Sequence, residues 1–245
     1  MTEYRRTIMK RRKWFALPLA AVLALNLTAC GGQETVENAK MYGEGADSAF
    51  ETKDMQLETC IMAVGEEEVS LNEMLFYVYQ LKASYDGSMT SEVWNYNYKD
   101  GENIGDYSKE ELIKEIAQIK VICQEAKNQG YALTEEEANG ATVEADTFVK
   151  ELPEDAKEYH LTKKLVEKIY KEHALAKKMY DVVGGTIDTK VSDEEVADAK
   201  DPDAEKERIL AEREKKAFED AYKEWKSSYE IIVSETLLDE IKMDR

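Results

Sequence analysis

The sequence predicts a mainly α fold in which a small β element joins the N- and C-terminal segments. Three observations predict it. Pro is scarce at 3 and Gly modest at 12 in 245 residues, while Glu, Lys, Ala and Leu abound, a balance that favours helix over sheet. Four segments open with the same capping box, a hydroxyl residue followed three positions later by Glu. Two short apolar runs, residues 59–64 and 229–233, are among the few segments able to form strands, and they are predicted to pair with each other.

The elements follow in order. Thr59 to Val64 is the first β-competent run, Gly65-Glu66-Glu67 makes a turn, and Val69 restarts the pattern. The box Ser70-Leu71-Asn72-Glu73 then opens a helix carrying Leu71, Met74, Leu75, Val78 and Leu81, ending near "YDG" at 85–87. Ser108-Lys109-Glu110-Glu111 opens a second helix with Leu112, Ile113, Ile116, Ile119, Cys123 and Ala126 on one broad face, closed by Gly130 in the left-handed position. Thr134-Glu135-Glu136-Glu137 opens a third. Residues 161–183 form a long amphipathic helix stopped by Gly184-Gly185, and 204–226 form another. Between these two, Ser192-Asp193-Glu194-Glu195 starts a short helix, and Asp201-Pro202-Asp203 forms a joint with Asp201 as N-cap and Pro202 in the first turn.

Residues 1–29 read as an address. Arg5, Arg6, Lys10, Arg11, Arg12 and Lys13 precede the apolar run "WFALPLAAVLALNL", which ends at Leu27-Thr28-Ala29-Cys30. That run is short of the roughly 20 residues of a comfortable membrane span. The basic region, the apolar run and the cysteine after small residues resemble a bacterial lipobox. The resemblance implies that Cys30 carries a lipid thioether and anchors the chain outside the cytoplasm on the cell membrane. Removing six basic residues and Glu3 takes the formal charge from −19 to about −24. Residues 30–56, rich in small and polar side chains, read as a flexible tether, and 57–245 as one composite domain made of a 57–200 part and a 204–245 part.

This acidic balance argues against nucleic-acid binding, which needs clustered Lys and Arg. No GxSxG, P-loop, GxGxxG, HExxH, CxxC or EF-hand pattern is present, so no catalytic group, cofactor or metal is predicted. The acidic runs at 66–68 and 135–137 sit at a turn and a helix start, where carboxylates already favour the helix dipole. His160 and His173 lie in charged helical surroundings and are expected to face solvent. Cys60 and Cys123, in the apolar contexts "TCIMAV" and "IKVICQEA", either form an exported disulfide or stay as separate buried thiols, and the sequence favours the latter.

Read in order, the pieces resemble the chaperone region of SurA- and PrsA-like extracytoplasmic foldases. Val64, Gly65, Val69, Ser70 and Glu73 match that family's "VNGEKIT-x-x-E". Ala126, Gly130, Tyr131, Leu133, Thr134 and Glu137 match its Gly-aromatic step and following helix start, and Val191, Ser192, Asp193, Glu194 and Glu195 match "VTDEEI". The likeness covers about residues 58–199 and the C-terminal helix and strand. In such foldases the last motif leads into a parvulin-type isomerase domain of roughly ninety residues. Here the C-terminal helix follows at once, and both histidines lie upstream of the junction. The resemblance therefore implies the chaperone body without prolyl isomerase activity. The implied partners are unfolded exported polypeptides, and the alternative is a lipoprotein that docks one specific protein. The polypeptide-binding candidates are the aromatic and Met residues of 75–98: Phe76, Tyr77, Tyr79, Tyr85, Met89, Trp94, Tyr96 and Tyr98. Helix 70–85 has apolar side chains on more than one face. This surplus either lines a cleft or is covered by the C-terminal helix and the 86–107 loop.

Overall fold

A computed structural model describes residues 39–42, 57–84, 91–99 and 101–243. The predicted leader, Cys30 as the predicted lipidation site, and the candidates Tyr85 and Met89 lie outside these residues. The described chain is mainly helical with a small sheet.

The sheet joins the two ends of the folded part. β1 (Ala39–Tyr42), β2 (Cys60–Val64), β3 (Glu67–Ser70) and β6 (Ile231–Ser234) lie in the order β1-β6-β2-β3. β2 pairs antiparallel with β6, Met62 opposite Val233 and Val64 opposite Ile231, as the two apolar runs predict. All four side chains are buried, so the pairing seals one core rather than bridging two. β1 falls within the segment read as a tether, yet it runs parallel to β6 with Ala39 opposite Ile231. The C-terminal strand thus lies inside the sheet, between two N-terminal ones.

The β2–β3 turn requires glycine. Gly65 has φ +56°, and a Cβ there would lie 2.7 Å from Gln124 Oε1 and 2.8 Å from the Tyr229 ring. Gln124 also donates to Val64 O at 2.8 Å and accepts from the Glu66 amide at 3.2 Å, and the Gly65 amide donates to Glu230 O at 2.8 Å. One side chain from the central helix thereby locks the turn to the C-terminal segment.

α1 (Leu71–Ser84) follows β3 directly. Its first amides donate to Ser70 Oγ and to the carbonyls of Leu57 and Thr59, so no donor at its start is left bare. α2 (Ile104–Asn128) is the central helix. It starts four residues before the predicted box, because Asn103 Oδ1 accepts from the Asp106 amide at 2.8 Å and caps it first. Ser108 is therefore buried inside the helix. At the other end the Tyr131 amide donates to Ala126 O and the Gly130 amide to Lys127 O, with Gly130 at φ +79°, the predicted left-handed cap in Schellman form.

α3 (Glu135–Lys150) has the complete box: Thr134 Oγ1 accepts from the Glu137 amide at 3.2 Å, and Glu137 accepts from the Thr134 amide at 2.7 Å. α4 (Lys163–Gly184) and α5 (Pro202–Lys226) are the two predicted long helices. Asp201 Oδ1 caps α5 through the amides of Asp203 and Ala204, with Pro202 in the first turn. A last short helix, α6 (Glu235–Glu240), follows β6.

The box at Ser192 closes but does not propagate. Ser192 Oγ accepts from the Glu195 amide and Glu195 Oε2 from the Ser192 amide, yet residues 193–198 remain turns. Too few residues precede Pro202 to repay helix nucleation. Arg213 of α5 fixes the segment instead, donating to the carbonyls of Asp188 and Lys190 and pairing with Glu195 at 2.6 Å.

One hydrophobic core runs from the sheet through α1, α2, α3 and α4. A second cluster places Phe218 of α5 against Ile122, Ala126, Ala176 and Met179. Among the described residues no helix is long and apolar enough to cross a membrane.

Candidate functional site

The structure divides the predicted aromatic set. Phe76 and Tyr77 are wholly buried and Trp94 nearly so. This corrects their assignment to a polypeptide-binding surface. Phe76 meets Phe148 of α3 and Tyr170 of α4 edge-on at 5.6 and 6.4 Å, so α3 and α4 cover the face of α1 that was predicted to be surplus. Tyr79 is half-buried against Phe148 and Tyr159. Among the described candidates, only Tyr96 and Tyr98 stand out, 60% and 57% exposed.

These two sit on a hairpin of β4 (Asn97–Lys99) and β5 (Glu102–Asn103), turned at Gly101 with φ +92°. Val93 and Trp94 anchor it from below. The Ile104 amide donates to Tyr96 O at 2.9 Å, tying the hairpin to the start of α2. The Tyr98 ring lies 4.6 Å from that of Tyr107 on α2. The result is a rigidly based pair of rings at the surface.

Beneath the surface is a polar cluster that the sequence reading missed. Lys120 of α2 is 1% exposed and holds two carboxylates, Glu73 of α1 at 2.6 Å and Glu172 of α4 at 2.7 Å. Lys120 Nζ and Glu73 Oε1 are in direct ion-pair contact. Lys168, 44% exposed, pairs with the other oxygen of Glu73 at 2.8 Å. Glu73 therefore does not reach back to the Ser70 amide as its box predicts, because two lysines take its oxygens. Burial opposes the Lys120 charge, but Glu172 and Glu73 outweigh it and hold the ammonium above its ordinary range.

His173 belongs to the same cluster and is buried, which corrects its solvent-facing assignment; His160 is exposed at a 3₁₀ turn with φ 50°. His173 Nε2 lies 3.1 Å from the Tyr77 hydroxyl. Burial first, then the Lys120 charge, pushes the imidazole down to about 4. Burial and then Glu73 lift the Tyr77 phenol well above its usual range. Cys123 is a free thiol that donates to Glu172 O at 3.4 Å, and burial followed by the Glu172 charge pushes it up to about 12. Cys60 is also free, as the apolar contexts favoured. Glu115 of α2 is buried with its Oε1 unpartnered, and burial pushes its carboxyl up to about 7.

This arrangement fits a structural strut better than a reaction centre. Its imidazole is neutral and hydrogen-bonded, its thiol is protonated, and its cation is committed to two carboxylates. A depression of about 470 Å³ on α4 is lined by Lys163, Lys164, Glu167, Lys168 and Lys171. Three of those lysines already pair with Asp146, Glu73 and Glu167. Among the described residues no group of three or more His, Cys, Asp or Glu is placed to hold a metal ion. Sequence signal for the strut existed: α2 is apolar on both sides of Lys120, which leaves that side chain no route to water. Searches against protein families, curated proteins and solved structures find no match for this chain.

Proposed function

We propose that the protein is a membrane-anchored extracytoplasmic chaperone of the SurA/PrsA type that lacks an isomerase domain. It holds exported polypeptides through surface contacts while they fold. The observation that carries this reading is the antiparallel pairing of β2 with β6, which supports a composite body of N- and C-terminal segments such as the resemblance implies. The direct cap of α5 by Asp201, with Pro202 in the first turn, supports reading that point as a closed joint. Such a body needs no catalytic group, since reversible contact shifts a client away from aggregation by mass action.

A second reading, a scaffold that docks one specific protein, gains support from the small size of the exposed aromatic patch. Among the described residues the exposed large apolar side chains are Tyr96, Tyr98 and Val143. A small fixed patch suits one partner better than many. Aggregation of several unrelated unfolded proteins separates the two, measured with the chain in zwitterionic nanodiscs against empty nanodiscs. The chaperone reading expects suppression of most clients at stoichiometric ratios. No suppression of any client sinks it, and a prolyl-peptide isomerisation rate well above background overturns the non-catalytic assignment.

A further inference from the structure

The hairpin presents its rings in an acidic setting. Residues 92–111 carry six acidic and two basic side chains. Asp106 and Glu111 are already occupied, by Lys109 at 3.0 Å and Lys114 at 2.8 Å. Glu102 lies near Glu110, and the Lys114 ammonium acts on it as well. Partial burial, then the Glu110 carboxylate, raises the Glu102 carboxyl above its ordinary range. The Tyr107 phenol is raised as well, by burial and then by Glu111. An acid-rich surface beside exposed rings is complementary to a positive group that also lies over a ring. The fixed base on Val93, Trp94 and the start of α2 means that little ordering is needed on binding.

We infer that the β4–β5 hairpin is a docking surface for cationic segments of extended polypeptide, with Arg or Lys side chains lying over Tyr96 and Tyr98 and beside Glu102 and Glu110. This inference names the class of segment held and rests on the proposed polypeptide-binding function. Arg suits the surface best, because its planar guanidinium stacks on a ring and forks to a carboxylate together. Lys99 lies opposite Glu102 in the hairpin register.

The test uses the chain in zwitterionic nanodiscs and fluorescein-labelled peptides that differ only in carrying Arg, Gln or Glu at the same positions. Fluorescence anisotropy is read at low and high salt. The Arg peptide is expected to bind about tenfold or more tightly than the Glu peptide, with the gap narrowing at high salt. Tyr96→Ala with Tyr98→Ala is expected to weaken Arg-peptide binding about three- to tenfold, and Glu102→Gln with Glu110→Gln by a similar factor. Each variant is first matched to the parent by thermal melt, and these surface positions leave the core intact. Equal affinity for Arg and Glu peptides overturns the inference, as does Arg-peptide binding unchanged in the combined four-site variant. Aggregation suppression that survives in that variant also sinks the hairpin assignment while leaving the chaperone reading standing. Arg-peptide binding lost with the hairpin, in a protein that suppresses no aggregation, supports the hairpin and sinks the chaperone reading.

Discussion

Replacing Lys120 by Met tests whether the buried strut holds α1, α2 and α4 together. Lys120 lies 2.6 Å from Glu73 and 2.7 Å from Glu172. At an effective dielectric of about 20, each attraction is on the order of 6 kcal/mol, and desolvation of the three charges offsets most of the sum. The net worth of the intact cluster is therefore small, but removing its centre is costly. Met fills the volume and leaves two carboxylates facing each other without their shared cation. Breaking a buried pair in this way costs about 3–5 kcal/mol. Lys168 still reaches Glu73 at 2.8 Å, and Glu172 is 15% exposed, so the lower end, about 3 kcal/mol, is expected. Urea unfolding followed by far-UV circular dichroism at pH 7.5 measures it. Adding Glu73→Leu to Lys120→Met should recover at least half the loss. A single-variant loss under about 1 kcal/mol, or a double variant no better than the single, would refute the reasoning.

Three further outcomes follow from the same structure. Gly65→Ala should cost more than the 1–2 kcal/mol of a left-handed φ alone, because the new methyl meets Gln124 and Tyr229 under 3 Å; a midpoint unchanged in urea contradicts that. Asp201→Ala should cost about 1 kcal/mol through the lost cap of α5, while Asp201→Asn should be nearly silent in the same unfolding assay. Glu115 carries a folded pKa of about 7 against an ordinary 4.5, so its contribution to stability is full below about 4.5 and is lost as pH rises through about 7. Glu115→Gln should therefore stabilise the protein at pH 8, by on the order of 2–3 kcal/mol, and leave it nearly unchanged at pH 4.5; equal effects at both pH values would show that Glu115 is not desolvated.

Local rules carried far in this chain where tertiary contacts left the local bonds in place. Thr134 and Glu137 sit at an exposed helix start, so their box forms complete. Gly130 and Asp201 cap their helices for the same reason. The pairing of β2 with β6 was legible because few other segments are apolar and β-competent. Prediction failed where tertiary contacts claimed a residue. Glu73 left its box for Lys120 and Lys168. Ser108 instead lost its place to a local rival, the Asn103 side chain that accepts from the Asp106 amide. The candidate site suffered most. Phe76, Tyr77 and Trp94 share the composition of Tyr96 and Tyr98, and nothing in the local sequence separates rings that fill a core from rings that leave it. His173 was misjudged because its sequence neighbours are charged, while its spatial neighbours, Tyr77 and Lys120, come from other helices.

The position of β6 has a consequence for how the chain is made. Both β1 and β2 hydrogen-bond to it, one on either side, and both precede it in sequence. A chain delivered from its N-terminus by the ribosome therefore releases two strands that must wait for their common partner. Until Ile231–Ser234 emerges, Met62 and Val64 have no Val233 or Ile231 to cover them, and Gly65 lacks its bond to Glu230. Closure is a late, long-range event of the kind that slows folding. The helices can form as they emerge, but the body that unites them is completed only once β6 has emerged.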